Sequence, residues 1–217
     1  MELFLFLKKY YSMKKSLLFI FIILLSGLVK INAQEFHGGL IGGLAATQVA
    51  GDTYSGFKKA GIFFGGYVNL DLSEKSSLQM ELTYFQKGSR VNPDSSSNYQ
   101  QYLFRANYIE VPFLYQFKAG KFRIFAGPSM GILMGHYEEV NYQRLDGGTS
   151  YNQPAPLTLQ VNLGFRFNIS EKFGVDFRTN NSILNIRKNN VTGDVWRIWT
   201  YGQFHDSLVL SLFYQFR

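Results

Sequence analysis

Acidic and basic side chains recur among the polar residues of several segments that alternate between apolar and polar positions. Opposite charges that face one another in a protein interior can pair, and pairing makes a buried charge tolerable. The charged residues that share this pattern are Glu81, Glu110, Arg123, Arg166, Asp176 and Arg178. We predict that they form an interior polar network that stabilises the fold. A gated pore or a proton path is the alternative.

Residues suited to hydrolytic or metal chemistry are sparse. The histidines His37, His136 and His205 are far apart and lack the close spacing of a metal site. A lipid-modifying enzyme could use a serine and a histidine at a barrel rim, which makes Ser129 with His136, or Ser207 with His205, the candidate pairs. Neither pair belongs to a motif, so we predict no catalytic residue, no metal and no cofactor.

Composition favours a β-rich, exported chain. The 217 residues include 21 Phe, 14 Tyr and 21 Gly with only 5 Pro, and the absence of Cys excludes disulfides. The net charge of +7 arises largely from residues 1–33, which hold five lysines and one acid. The remaining basic residues are scattered and form no stripe, so we predict no nucleic-acid binding.

Residues 1–33 have the features of a signal peptide. The basic pair Lys14-Lys15 precedes an apolar run at 16–29, and Ala33 ends a plausible cleavage site. The run is shorter than the roughly 18–20 residues of a membrane-spanning helix, although an uncleaved signal anchor is the alternative. The signal peptide begins at one of two methionines, Met1 or Met13.

The mature chain, predicted as a single domain at 34–217, has a period of two residues. In 157–169, aliphatic and aromatic residues alternate with polar residues or glycine. Successive side chains of a strand point to opposite faces, so each such segment predicts a strand with one apolar and one polar face. The predicted strands are 36–47, 59–70, 77–87, 107–118, 122–136, 157–169, 173–179 and 207–216.

The predicted connections alternate between long and short. In an antiparallel up-and-down meander, this places all the long loops at one end, as in outer-membrane barrels. Aromatic residues such as Trp196, Trp199 and Tyr201 crowd the strand ends, where the membrane interface favours them. We predict an all-β, eight-stranded transmembrane barrel with both termini in the periplasm. The alternative is a soluble barrel that turns its apolar faces inward around a ligand.

Two local features carry further expectations. The glycine-rich segment 38–43 lacks the Gly-Lys-Ser/Thr of a phosphate-binding loop, so it predicts a strand in which another group approaches the backbone closely. Pro112 lies in the middle of a predicted strand and cannot donate a ladder hydrogen bond. We expect a bulge beside Glu110, and we expect Glu110 to pair with an inward arginine.

Several blocks of the mature chain resemble a known family. They are the glycine-rich first strand, SLQMELTYFQKG at 77–88, NYIEVPFLY at 107–115, FAGPSMG at 125–131 and the final run at 208–216. On these blocks the chain resembles the PorT-like family of small outer-membrane β-barrels. The resemblance implies a barrel in the outer membrane, and it implies a role in type IX secretion for the name-giving member.

These observations predict a monomeric outer-membrane barrel with a structural or accessory role in protein secretion or surface assembly. The alternative is a surface-binding or adhesion barrel that acts through its long loops at 89–103 and 137–156, because loops often carry function. The expected partners are outer-membrane lipid, the barrel-assembly machinery, and secretion-system or periplasmic proteins.

Overall fold

The computed structural model describes residues 36–52, 54, 56–145, 153–187 and 195–216. The predicted signal peptide at 1–33 lies outside the described residues. The strands are β1 (Phe36–Ala50), β2 (Lys59–Ser73), β3 (Ser76–Val91), β4 (Tyr102–Ala119), β5 (Phe122–Val140), β6 (Gln143–Arg144), β7 (Leu157–Asn168), β8 (Phe173–Ser182), β9 (Val195–Arg197), β10 (Thr200–Gly202) and β11 (Phe204–Gln215). No helix among these residues is long and apolar enough to cross a membrane.

Eight long strands form a closed barrel. In the order β1, β2, β3, β4, β5, β7, β8 and β11, each strand pairs antiparallel with the next. β11 returns to pair with β1, which closes the ring and leaves no free sheet edge around it. The predicted eight-stranded, antiparallel up-and-down barrel is confirmed.

The strand faces follow the sequence periodicity. On β7, Leu163 points outward with 56% of its surface exposed, whereas Arg166 points inward and is 0% exposed. The soluble-barrel alternative is therefore wrong, because it requires the opposite assignment of the two faces. The other outward apolar residues include Leu40, Ile62, Leu82, Phe113, Ile124, Phe177 and Leu212.

The connections at the two ends of the barrel differ in length. At one end the described turns are short, at 74–75, 120–121 and 169–172, and β1 begins and β11 ends there. At the other end the strands β3, β4 and β5 run further than predicted. The ladder between β3 and β2 stops at the pair Phe85–Phe63, and the ladder between β5 and β7 stops at the pair Ile132–Leu157. Beyond these pairs, β4 stays paired with β3 on one side and β5 on the other, up to Tyr102. We call this three-stranded extension, together with β6, the outer ledge.

The bulge does not lie where the sequence predicts it. The register between β4 and β5 shifts at Asn107 and Tyr108, so that Met134 is the extra residue on β5. The ladder between β3 and β4 keeps the same register on both sides of Pro112. Pro112 therefore omits a hydrogen bond without inserting a residue, whereas the bulge marks the level at which β5 enters the outer ledge.

Part of the interior is apolar. A cluster on the β1, β2, β3 and β11 side of the barrel consists of Ile41, Ala45, Phe63, Tyr67, Phe85, Val209 and Phe213. Tyr67 lies across the backbone of Gly39, where an added Cβ would come within 2.5 Å of the Tyr67 ring. The glycine-rich first strand thus makes room for a large neighbouring side chain, which is the close approach that the sequence predicts.

Candidate functional site in the barrel interior

The alternation of each strand turns the charged residues of the sequence prediction toward the interior. Glu81 lies on β3, Glu110 on β4, and Asp176 and Arg178 on β8, and each of these is at most 1% exposed. β3 and β8 lie on opposite sides of the ring, four strands apart in either direction. Contacts between these strands must therefore cross the full width of the barrel.

Four of the predicted residues form one continuous set of ion pairs, here called the barrel network. Arg178 donates to both carboxylate oxygens of Glu81, at 2.8 and 3.1 Å, and to Asp176 Oδ2 at 3.1 Å. Arg166 donates through Nε and Nη2 to the two oxygens of Asp176, at 2.5 and 2.8 Å. The network is Glu81, Arg178, Asp176 and Arg166, and it links β3, β8 and β7.

Two aromatic rings of the apolar cluster, together with Phe125 on β5, cover the two arginines. The guanidinium of Arg166 lies 3.9 Å from the centre of the Phe213 ring. The guanidinium of Arg178 lies 5.1 Å from the ring of Phe63 and 5.0 Å from that of Phe125. A cation over an aromatic face is attracted to the ring. The aromatic rings of the interior therefore help to keep the two arginines of the barrel network in position.

Glu110 pairs with a lysine, not with the expected arginine. Its Oε1 lies 2.5 Å from Nζ of Lys87, which is itself fully buried. Asn180 on β8 accepts from Lys87 Nζ at 2.5 Å and donates to the other oxygen of Glu110 at 3.2 Å. Lys87 is not among the predicted interior residues, although it shares the inward parity of Gln79 and Glu81 on β3.

Arg123 lies apart from the ion pairs. It is half-buried near the short-turn end of the barrel, and its guanidinium donates to Gln116 at 3.5 Å. Gln116 also donates to Gln79 at 2.7 Å, and Gln79 donates to Glu81 at 2.6 Å. Arg123 therefore connects to the barrel network only through two glutamine side chains.

The histidine and serine pairs of the enzyme alternative occupy unfavourable positions. His205 is fully buried, stacks on Phe104 and has its Nε2 3.2 Å from the hydroxyl of Tyr108. Ser129 points inward and donates to Gln160 at 3.2 Å, whereas His136 lies past the bulge in the outer ledge. Among the described residues, no group of three or more His, Asp or Glu could hold a metal ion.

A second cluster closes the interior at the long-loop end. We call it the outer cap, and it consists of Val49, Val91, Tyr102, Phe104, Ala106, Tyr108 and Ile186. Ile186 comes from the loop after β8 and is 0% exposed. Its neighbour Arg187 donates to both oxygens of Glu138, at 3.1 and 2.7 Å, and lies 4.2 Å from the Phe104 ring. The described first part of this loop, up to Arg187, is thus folded into the barrel mouth.

One carboxylate beside the outer cap lies outside the membrane-spanning strands. Asp52 follows β1 in the loop to β2 and is 8% exposed. Its Oδ1 accepts from the backbone N–H of Tyr54 at 2.9 Å. Burial raises the pKa of Asp52 from 3.8 to about 6, against the opposing effect of hydrogen bonds from the Ser89 side chain and the Tyr54 N–H and of the nearby charge of Arg187. A group that titrates in mildly acidic solution therefore lies beside the outer cap.

The arrangement suits stabilisation of a closed interior. Each carboxylate of the barrel network accepts hydrogen bonds from arginine, and a buried charge is tolerable when it is paired in this way. An eight-stranded ring of this kind has room inside for side chains only. Aliphatic residues outside and paired charges inside define a transmembrane β-barrel of the outer-membrane type.

Comparison with known proteins agrees with this class. Residues 32–187 match the family described as outer membrane protein beta-barrel domain, and the chain belongs to this family. It is an outer-membrane protein. No curated protein matches the chain.

One solved structure supports this fold, and a second aligns with the chain at a lower TM-score. The chain is similar to the crystal structure of Neisserial surface protein A, with a TM-score of 0.52, 13% identity, and coverage of 85% of this chain and 100% of that chain. The attachment invasion locus protein Ail of Yersinia pestis aligns with a TM-score of 0.47 at 15% identity, over 84% of this chain and 99% of that one. At such identities the similarity to the Neisserial protein concerns the fold alone.

Proposed function

We propose that this chain is a sealed outer-membrane scaffold that binds a macromolecular partner at the cell surface through its outer ledge. The observation that carries the proposal is a pair of loop tips that are joined by hydrogen bonds. Each tip presents a tyrosine: Tyr99 after β3 is 75% exposed, and Tyr142 between β5 and β6 is 76% exposed. Tyrosine is enriched in protein interfaces.

The backbone of each tip is held in an uncommon conformation. Asn98 and Tyr99 have φ angles of 55° and 58°, and Asn141 and Tyr142 have φ angles of 48° and 65°. Two consecutive residues with positive φ between paired strands are the pattern of a type I′ hairpin turn, which describes the tip at Asn141 and Tyr142. Asparagine tolerates this region, but tyrosine does so less readily. The surrounding contacts must therefore hold both tyrosines in place.

The N–H of Tyr99 donates to the carbonyl of Asp94 at 2.9 Å, and Gln101 supplies the contacts at the other tip. Its backbone N–H donates to Asn141 Oδ1 at 3.0 Å, and its carbonyl accepts from the N–H of Asn141 at 2.9 Å. Its side-chain oxygen accepts from the N–H of Tyr142 at 3.0 Å. One residue thus joins the two tips. A binding surface that is ordered before the partner arrives loses less entropy on binding.

A closed interior supports a scaffold role over a transport role. The barrel network crosses the interior, and the outer cap fills the mouth above it. In planar lipid bilayers the purified protein should give no discrete channel conductance, with a pore-forming barrel as the positive control. Steady channel openings would contradict the sealed state and favour the pore alternative.

Site-directed photo-crosslinking in intact cells tests the binding proposal. A photoreactive residue at position 99 or 142 should capture a surface partner, whereas one at position 121, in a short turn, serves as the matched control. The captured partner should bind the purified wild-type protein but not a Tyr99→Ala/Tyr142→Ala variant whose gel mobility still shifts on boiling. Adducts formed at position 121 alone would move the function to the other end of the barrel.

An accessory role in type IX secretion remains a prediction from the PorT-like resemblance. We propose that the short-turn end faces the periplasm with both termini, and its described features are short turns and ion pairs such as Lys118 Nζ with Asp71 at 2.6 Å. A deletion strain that retains surface proteins inside the cell would support the secretion role. Normal export together with lost partner binding would favour the surface-binding role.

We also propose that the chain has no catalytic activity, that it is monomeric, and that its leader is cleaved. Burial of His205 and the inward position of Ser129 support the absence of a lipid-modifying site. Lipid A and phospholipid profiles of a deletion strain should match those of the parent. A new acylated or deacylated lipid species in the parent would contradict this.

A further inference from the structure

A small hairpin lies outside the barrel at its long-loop end. β9 and β10 pair only with each other among the described strands, and Trp196 pairs with Tyr201 across the hairpin. Arg197 fastens the hairpin to the barrel. Its guanidinium donates to both oxygens of Asp206 on β11, at 2.8 and 3.0 Å, and to the carbonyl of Ser182 at the end of β8, at 3.0 Å.

Arg197 brings the hairpin against the outer wall of the barrel. Two further hydrogen bonds, from Asn185 Nδ2 to the carbonyl of Tyr201 at 3.0 Å and from Thr200 Oγ1 to the carbonyl of Ile183 at 3.4 Å, join the hairpin to the start of the loop after β8. Asp206 and Phe204 share the strand parity of Leu208 and Leu210, which face outward on β11. Nevertheless, Asp206 is 7% exposed and Phe204 is 0% exposed. The guanidinium of Arg197, 4.8 Å from the Phe204 ring, covers this part of the outer face.

The position of Asp206 gives the level of the hairpin in the membrane. Below it on β11 the outward side chains are aliphatic, beginning with Leu208. On β8, the outward residue that binds Asp206 is Asn181, at 3.0 Å, and Phe177 is the first outward apolar residue below it. Asp206 and Asn181 therefore mark the upper limit of the apolar band, which is the boundary between lipid and water.

At this boundary the hairpin exposes an aromatic surface. Trp196 is 71% exposed, Trp199 84% and Tyr201 59%. The whole chain contains two tryptophans, and both are in this hairpin. Ile198, at the turn, has a φ of 52°, which is strained for a β-branched residue, and it is also exposed. Tryptophan and tyrosine favour the level of the lipid headgroups.

We propose that this hairpin is a lipid anchor of the outer leaflet. Trp196, Trp199 and Tyr201 insert beside the barrel at the boundary between headgroups and acyl chains, and the ion pair of Arg197 with Asp206 holds the hairpin at that depth.

Tryptophan fluorescence tests the anchor directly, because both reporters lie in the hairpin. The full protein is reconstituted in phosphatidylcholine vesicles whose acyl chains carry bromine near either the carbonyl end or the methyl end. The expected result is a larger loss of emission with bromine near the carbonyl end, and weak quenching by aqueous iodide. Strong iodide quenching with no bromine effect would place the tryptophans in water and overturn the proposal.

Three variants sharpen the test. Trp196→Phe and Trp199→Phe each leave one tryptophan, and both should retain the dependence on bromine position. Arg197→Ala should lose that dependence and gain iodide quenching, in samples whose gel mobility still shifts on boiling. An unchanged bromine effect in this variant would refute the role of Arg197. Protection from both quenchers would indicate a protein contact, such as a second copy of the chain, and would also overturn the lipid anchor.

Discussion

The barrel network and the outer cap close the same interior by different means. In the barrel network, four charged side chains from three strands are fixed by the registers of those strands. In the outer cap, apolar side chains from the strand ends pack against Ile186, which belongs to a loop. Strand residues cannot move without breaking ladder hydrogen bonds, whereas loop residues can open locally.

This difference predicts that the two regions respond to different changes. Loss of one partner in the barrel network leaves a buried charge without its opposite charge, which lowers the stability of the whole folded barrel. Loss of packing in the outer cap affects the mouth and the outer ledge, and water can enter there. The outer cap should therefore be the part of the interior that opens first.

The largest effect is expected for Arg178→Ala. This change leaves Glu81 buried without its arginine and removes one of the two arginines from Asp176, so the free energy of unfolding should fall by about 3–5 kcal/mol. Urea unfolding in lipid vesicles, followed by the gel mobility of unboiled samples, measures it. The control is Glu81→Met/Arg178→Met, which removes both charges and should lose much less. Equal losses in the two variants would contradict the charge argument.

Glu110→Ala should lower the free energy of unfolding by about 3 kcal/mol, because the buried Lys87 loses its carboxylate and is left with the amide oxygen of Asn180 and the face of the Phe85 ring. The same unfolding assay applies. A second change, Lys87→Met, should restore part of the loss by removing the unpaired cation. Full stability of Glu110→Ala would show that this pair contributes nothing to the closed interior.

Ile186→Ala tests the outer cap and should cost about 2 kcal/mol through the cavity that it leaves. Hydrogen exchange should accelerate for the amides at 102–106 in the outer ledge, with little change around Asp176. Leu184→Ala, at a position on the same loop that is 38% exposed, is the matched control and should change little. Faster exchange across the whole barrel would mean that the two regions do not open separately.

The smallest effect is expected from pH and concerns Asp52. Its folded pKa of about 6 exceeds the unfolded value of 3.8, so the folded state binds the proton more tightly. The stability of the outer cap should therefore fall as pH rises from about 4 to about 6 and remain constant above that, by about 1–2 kcal/mol in total. Exchange at 102–106 should be slower at pH 4.5 than at pH 7.5 once corrected for intrinsic rates. Asp52→Asn should abolish the difference.

The charged interior was easier to predict than the apolar interior. Arg166, Asp176 and Arg178 stand in strands with strict alternation, so their inward direction follows from parity alone. Phe63, Tyr67 and Phe213 are also inward, but they lie in glycine-rich strands or among outward aliphatic residues. Periodicity separates polar from apolar faces, and it cannot identify a face that carries both.

The partner of Glu110 could not be predicted for a different reason. Pairing depends on how far each strand is displaced along its neighbours, and this displacement is not visible in a single strand. The register sets Lys87 beside Ala106 on β4, four residues from Glu110, within reach of a long side chain. The inward arginines of the sequence favour an arginine partner, but the register between β3 and β4 brings Lys87 to Glu110.

By itself, the amino-acid sequence determined the period of the strands, the number of strands in the barrel and the direction of its charged side chains, because these depend on local alternation. Only the tertiary structure decided the pairs in the barrel network, the loop residues that fill the outer cap, the locked tips of the outer ledge and the position of the aromatic hairpin. Each of these depends on strand register and loop path, which are set by contacts between residues distant in the chain.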